Sequence, residues 1–326
     1  MGEKSIRLAI AGCGRWGMNH VKTAHNLLGD GLVTVFDTNE ANRAKIAAVS
    51  PSIKFTTDRD EIIKDSSIDA VIVATPAETH YALTKELLLA GKHVLVEKPI
   101  TLKTAEASEL LDLSIARKRK LLVGHVLLYH PAVLRLKQAY KEGMIGKLQY
   151  IYSNRLNLGA IRSEENILWS FAPHDISIIQ FLTESQPISV ESKGASFLQP
   201  NIEDTTLTYL NYPDNVHAHI FVSWLHPFKE QRMVVIGDKG MLVFEDSAKQ
   251  DKLKFYPKGF KQTESGIEKF EGEFVALPFT DAQPLTEEHL HFYDCVLNDK
   301  KPLTDGAHAL EVLTILEQAT KRLNHV

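Results

Sequence analysis

The sequence predicts an α/β chain in two parts: a doubly wound parallel sheet, then an α/β domain whose sheet is open and mostly antiparallel. Three observations predict it. Glycines in the pattern Gly12-x-Gly14-x-x-Gly17 stand between an apolar strand and a helix. Short apolar strands then alternate with helical segments as far as Val123. Beyond Gly124 the strands alternate apolar and polar residues instead. Domains are therefore expected over residues 1–123 and 124–326. The length, 326 residues, agrees with two domains of about 150 residues each.

In order, residues 7–11 read as a buried strand, 12–17 as the glycine-rich turn and 18–28 as a helix. Residues 32–36 form a second apolar strand that ends at Asp37. Further strands are expected over 53–56, 69–74, 93–96 and 121–123, with helices over 80–90, closed by Gly91, and 104–119. The second part opens with a helix over 132–142 that stops at Gly143. Strands follow over 148–157, 190–195, 205–212, 216–224, 233–236 and 241–245, with turns at Pro213-Asp214-Asn215 and Gly237-Asp238-Lys239-Gly240. A last helix covers 307–324. Helices on one face of such a sheet leave the other free, and apolar or aromatic residues there would favour a homodimer or homotetramer.

The glycine pattern has the strand-turn-helix context of a dinucleotide site. Gly12 permits a tight turn, Gly14 lets backbone approach a pyrophosphate, and Gly17 lets helix and strand pack closely, with the anion at the positive end of the helix. Asp37 can accept hydrogen bonds from both ribose hydroxyls and would repel a 2′-phosphate, so NAD is expected over NADP, although Arg43 could reach such a phosphate. A second marker is Val94-Leu95-Val96-Glu97-Lys98-Pro99, an apolar run that ends in a lysine held by a proline.

Composition narrows the remaining classes. Lys+Arg 37 against Asp+Glu 41 leaves a net charge of −4, and no basic block suited to a nucleic-acid backbone occurs. Met1-Gly2-Glu3-Lys4-Ser5 leads straight into the first strand, and no apolar run reaches membrane-spanning length, so a cytoplasmic protein without membrane partners is expected. Cys13 and Cys295 lack metal-ligand spacing, and the His217/His219 and His289/His291 pairs read as packing or surface residues, so no metal is expected.

The turn Gly12-Cys13-Gly14-Arg15-Trp16-Gly17, Asp37, Ala74-Thr75-Pro76 with His80, Glu97-Lys98-Pro99 and Ala172-Pro173-His174-Asp175 together resemble the Gfo/Idh/MocA family of NAD(P)-dependent sugar and cyclitol dehydrogenases. The resemblance covers nearly the whole chain and implies a Rossmann domain followed by an α/β domain whose open sheet builds an oligomer interface. It implies cofactor contacts at Gly12, Gly14, Arg15, Trp16, Gly17, Asp37, Thr75, Pro76, His80, Glu97 and Lys98. It also implies that Lys98 contacts the reacting hydroxyl and that His174 accepts or relays its proton. Removing hydride from a secondary alcohol requires both an acid/base group and a stabiliser of the developing alkoxide. Two assignments stay open, Lys98 as base or His174 as base with Lys98 polarising the oxygen; the second is the preferred reading. The family often has an aspartate four residues before this histidine, where Ser170 stands here.

For the substrate, His125, Tyr129, Arg155, Asn157, Arg162, Trp169 and Asp175 are the candidate contacts. Arg155 and Arg162 could hold a diphosphate, and His125, Tyr129 and Asn157 could read sugar hydroxyls; solvated charges and salt bridges are the competing reading of the arginines. These segments, with Ser223-Trp224-Leu225-His226-Pro227-Phe228-Lys229, are similar to family members that oxidise nucleotide-linked amino sugars at C3. That resemblance implies UDP-N-acetylglucosamine as substrate and a product passed to an aminotransferase in surface polysaccharide or lipid A synthesis. Its glucuronate relative, an inositol or free sugar, and a non-catalytic NAD-binding role are the alternatives.

Overall fold

The computed structural model describes residues 5–159 and 161–323. Met1 to Lys4, read from sequence as leading into the first strand, and Asn324, the expected end of the last helix, lie outside the described residues. In chain order the first elements are β1 (Leu8–Ala11), α1 (Gly17–Leu28), β2 (Leu32–Phe36), α2 (Arg43–Val49), β3 (Lys54–Thr56), α3 (Asp60–Ile63), β4 (Ala70–Val73), α4 (Ala77–Leu89), β5 (His93–Glu97), α5 (Thr104–Ala116) and β6 (Leu121–Gly124). Next come α6 (Pro131–Lys141), β7 (Leu148–Leu158), α7 (Ile167–Thr183), β8 (Ser189–Ala195), β9 (Thr205–Tyr212), β10 (Val216–Ser223), β11 (Leu225–Gly237), β12 (Met241–Glu245), β13 (Leu253–Tyr256), β14 (Gly259–Thr263), β15 (Gly266–Phe270) and β16 (Val275–Ala276). The chain closes with α8 (Pro284–Leu297) and α9 (Gly306–Arg322).

The chain forms two compact units. The first holds the described residues through Tyr129 together with Gln283–Leu313; the second holds His130–Ala282 and the described residues from Thr314. The sequence places a boundary after Val123 and does not expect the return. Phe292 and Tyr293 of α8 explain it: both are buried in the first unit's core with Val21, Leu95 and Leu122, and α8 packs on α1.

In the first unit six parallel strands run in the order β3-β2-β1-β4-β5-β6. Every residue of β1, β4 and β6 is buried, as expected of strands covered on both faces. α4 begins three residues earlier than expected because Pro76, at φ −58° and ψ 144°, is its N-cap and leaves Ala77 as the first helical residue. α5 ends earlier because Lys118 adopts a left-handed φ of 52°.

In the second unit eight strands run in the order β16-β13-β12-β11-β7-β10-β9-β8, all antiparallel pairs except β10 on β7. α7 packs on β7, β9 and β10. Along β7, Ile151, Ser153 and Arg155 are buried while Tyr150, Tyr152 and Asn154 on the opposite face are only half-buried. β14 and β15 form a separate hairpin.

Candidate active site

The glycine turn joins β1 to α1 under tight steric limits. Gly12 has φ +90°, and a Cβ there would stand 2.5 Å from the Ala74 carbonyl oxygen; a Cβ on Gly17 would stand 2.2 Å from the Gly12 carbonyl oxygen. On Gly14 it would meet nothing within 4 Å, which leaves room for a ligand above the start of α1. The turn forms one wall of a cleft of about 770 Å³ lined by Gly12, Gly14, Arg15, Trp16, Gly17, Asp37, Thr75 and Pro76, with Asn42 and Arg59. Eight of the residues expected at a cofactor thus share one cleft.

Asp37 stands at the end of β2. Its carboxylate accepts the backbone N–H groups of Cys13 (2.8 Å) and Asn39 (2.8 Å), and the Cys13 thiol at 3.2 Å. Burial pushes this carboxyl up, but those hydrogen bonds outweigh it and hold it below its usual value. The Cys13 thiol is pushed up to about 12, by burial first and then by Asp37, so it is inert. Arg43 is occupied. Glu40 takes its Nε and Nη2, its Nη1 donates to the Phe55 carbonyl (3.2 Å), and its guanidinium lies 4.8 Å from the Phe55 ring centroid.

His80 and Glu97 do not line the cleft but hold two residues that do, Thr75 and Trp16, with Lys98 next to Glu97. The His80 ring nitrogens lie 2.9 Å from the Thr75 carbonyl and 2.7 Å from the Pro99 carbonyl, tying the two loops together. Glu97 accepts Trp16 Nε1–H at 2.6 Å and the Lys98 backbone N–H at 3.2 Å, and lies 2.8 Å from His20 Nε2. Burial pushes the Glu97 carboxyl up, and His20, Trp16 and Lys98 together hold it below its usual value. The charge of Lys98 also acts on the buried His125 ring, whose protonation burial already disfavours. Tyr129 does not face open space: it is 3 % exposed and its hydroxyl pairs with Thr304 Oγ1 at 2.9 Å.

The other candidates belong to the second unit. His174 is half-buried on α7, one residue after Pro173. Consecutive helical residues point about 100° apart, and Asp175 accordingly turns into the sheet, where it accepts Ser153 Oγ (2.6 Å), Arg155 Nε (2.8 Å) and Arg155 Nη2 (3.1 Å). Arg155 and Asp175, both expected at the substrate, therefore pair with each other. Arg162 is exposed and pairs with Glu165 at 3.1 Å; Trp169 donates its Nε1–H to Thr320 at 2.9 Å. Asn157 Oδ1 is buried and has no partner among the described residues.

Sequence reading missed His20, Tyr293 and Glu288, and read His289 only as a packing or surface residue. His20 lay within reach, three residues past Gly17 on the first turn of α1. The α8 residues carry no local signal because only the chain's return brings them to the first unit.

The strand-turn-helix cleft with an acidic end to β2 is that of an NAD-binding oxidoreductase. Two family profiles match, "Oxidoreductase family, NAD-binding Rossmann fold" over residues 6–125 and "GFO/IDH/MocA C-terminal domain" over residues 133–243. The chain belongs to the Gfo/Idh/MocA family. It is 27 % identical to scyllo-inositol 2-dehydrogenase (NAD(+)) of Bacillus subtilis, over 94 % of this chain and 91 % of that one. Its identity to UDP-N-acetylglucosamine 3-dehydrogenase of Acidithiobacillus ferrooxidans is 31 %, over 59 % of this chain and 58 % of that one. The crystal structure of a candidate oxidoreductase from Magnetospirillum magnetotacticum superposes with TM-score 0.83 and 31 % identity, covering 97 % of this chain and 99 % of that one. No helix among the described residues is long and apolar enough to cross a membrane.

Proposed function

We propose that this chain oxidises a secondary hydroxyl of a sugar or polyol with NAD, and that its substrate is a UDP-linked N-acetylamino sugar oxidised at C3, most closely UDP-N-acetylglucosamine. The observation that carries the reaction is the placement of Lys98 directly after Glu97, the carboxylate bonded by Trp16 of the cofactor cleft. NAD, when bound, supplies the hydride acceptor. Gly12, Gly14 and Gly17 admit its pyrophosphate, and Asp37 holds its ribose and excludes a 2′-phosphate. Lys98 stabilises the alkoxide as the hydroxyl proton leaves, and His174 accepts that proton; Lys98 as the base is the other assignment.

The nucleotide-sugar reading is supported by the relative of that name and by Asn157 near the end of β7, Arg162 on the loop that follows and Trp169 in the first turn of α7. A second reading, an inositol, is favoured by the Arg155–Asp175 pair, which removes one cation from a diphosphate site, and by the relative that shares most of its length. The product, a keto sugar, suits a transamination next, and an aminotransferase is the proposed functional partner. Incubation with NAD and either UDP-N-acetylglucosamine, its glucuronate form, myo-inositol, scyllo-inositol or glucose, read by NADH and mass spectrometry, decides between them. NADH with a UDP-sugar lighter by two hydrogens supports the first reading; turnover of an inositol alone replaces it with the second. Lys98→Ala is expected to retain NAD binding and to lose about 10²- to 10⁴-fold in kcat; full turnover by that variant removes Lys98 from the mechanism.

A further inference from the structure

A line of hydrogen bonds runs from Glu97 back into the core of the first unit. Glu97 Oε1 lies 2.8 Å from His20 Nε2, His20 Nδ1 lies 2.8 Å from His289 Nε2, and His289 Nδ1 lies 2.9 Å from the Tyr293 hydroxyl. Both imidazoles are 0 % exposed and Tyr293 is 5 % exposed. The two ring planes lie 19° apart with centroids 5.1 Å apart, the separation of an edge-to-edge hydrogen bond within a shared plane. A Cβ on Gly124 would stand 2.8 Å from the Glu97 carboxyl carbon, so the backbone of β6 also closes on it.

Each of these contacts holds one hydrogen, and a neutral imidazole has one donor and one acceptor nitrogen. An ionised Glu97 only accepts, so the hydrogen of the first contact sits on His20 Nε2. His20 Nδ1 must then accept, and the next hydrogen sits on His289 Nε2. His289 Nδ1 is left to accept the Tyr293 O–H. All three donors point toward Glu97, every polar atom of the line is satisfied, and the line carries one negative charge. The reversed arrangement needs an imidazolium at His20 and leaves the Tyr293 proton without an acceptor among the described residues.

We propose that Tyr293, His289 and His20 are positioning residues that fix both imidazoles as neutral Nε2–H tautomers and keep Glu97 a permanent anion behind Trp16 of the cofactor cleft. The charged groups that act on this line are Lys98 beside Glu97 and Glu288 on α8, and Glu288 in turn faces Tyr129 after β6. Glu288 is fully buried, neither of its oxygens has a partner among the described residues, and burial together with the Glu97 charge pushes its carboxyl well up, so it stays neutral. Burial pushes His289 well down and Tyr293 and Tyr129 up. A fixed anion behind Trp16 favours an oxidised cofactor, with its cationic ring, over the neutral reduced form.

The test uses the full chain without cofactor, ¹⁵N-labelled at histidine, in long-range ¹H–¹⁵N spectra between about pH 5.5 and 8.5. The His20–His289 pair identifies itself by nitrogen–nitrogen coupling across its shared hydrogen. Two neutral Nε2–H rings that do not titrate support the proposal; an imidazolium or an Nδ1–H tautomer in either ring at neutral pH overturns it. His289→Leu removes the donor to His20 Nδ1, so nothing then keeps a second hydrogen off that ring beside Glu97. NAD affinity then falls about threefold or more between about pH 8 and 6, while the wild type stays flat. A flat profile in a folded His289→Leu protein overturns the role assigned to the line. Neither measurement depends on which sugar is oxidised.

Discussion

Asp37 already accepts two backbone N–H groups before a ribose hydroxyl reaches it, so its orientation is set by the chain and not by the cofactor. Its neighbour in charge, Arg43, is engaged by Glu40 and by Phe55. Removing the repulsion and then freeing the cation should act in sequence. Asp37→Ala is expected to weaken NAD binding about 10- to 100-fold, the worth of a hydrogen bond to a charged group, and Asp37→Ala with Glu40→Ala to bind NADP more tightly than Asp37→Ala alone. Calorimetric titration with each cofactor checks both, and an unchanged NADP affinity in the double variant would show that Arg43 stays on Phe55. In the second unit Arg155 tests structure against recognition. Removing one partner of a buried ion pair costs about 3–5 kcal/mol, so Arg155→Ala should lower the urea midpoint strongly, and Arg155→Met with Asp175→Leu should recover most of the loss. A stable Arg155→Ala enzyme with a raised KM would return Arg155 to the substrate site.

At the scale of elements, the start of α9 meets the end of β6 through two imidazoles. The His125 and His308 rings meet edge to face at 5.5 Å, and His125 Nδ1 and His308 Nε2 are buried without partners among the described residues. Burial pushes His308 down to about 4 against the opposing pull of Asp305, and pushes His125 well below its ordinary value. An unfolded imidazole titrates near about 6.5. Because the folded value is depressed, the unfolded chain binds more protons between these values; the contribution is complete above about 6.5 and is lost as pH falls toward about 4. Unfolding free energies from urea titrations at neutral pH and near pH 4 should therefore differ by up to about 3 kcal/mol from His308, and His308→Gln should flatten that part of the slope. The elements themselves were unequally legible. β1, the turn and α1 stood out because the three glycines are each demanded by a nearby atom or an open space. α7 did not, because twelve of its residues are buried and no polar face marks a helical period. α8 was invisible for a different reason: its buried residues answer to a core built from Ile6 to Tyr129, far earlier in the chain, which no local pattern announces.

Across the whole chain, the change from all-apolar to alternating strands marked the two sheets correctly, and the alternation also marks which face of the second sheet is left uncovered. On β9 the buried Thr206, Thr208 and Leu210 alternate with Leu207, 48 % exposed, and Tyr209, 36 % exposed. Beside them Tyr209 and His217 lie 5.9 Å apart, and Tyr152 and His219 stack at 5.4 Å with an 8° tilt. α7 packs on the same three strands, and its Asp175 engages the buried Ser153 and Arg155 of β7, so the aromatic ladder faces away from it. Stacked Tyr and His rings present flat apolar area with polar edges, the composition that protein interfaces concentrate. This face is proposed to pair with a second copy of the chain. At a two-fold contact each substituted side chain meets its own copy or a near neighbour, so a new charge counts twice. Leu207→Glu with Tyr209→Glu is expected to weaken self-association about 100-fold or more, since juxtaposed like charges cost several kcal/mol. Light scattering over a dilution series reads the mass directly. A wild-type dimer or tetramer that the variant converts to monomer, with NAD binding kept because the cofactor cleft lies in the first unit, supports the pairing. A wild-type monomer, or a variant that stays associated, assigns this face no partner of its own kind.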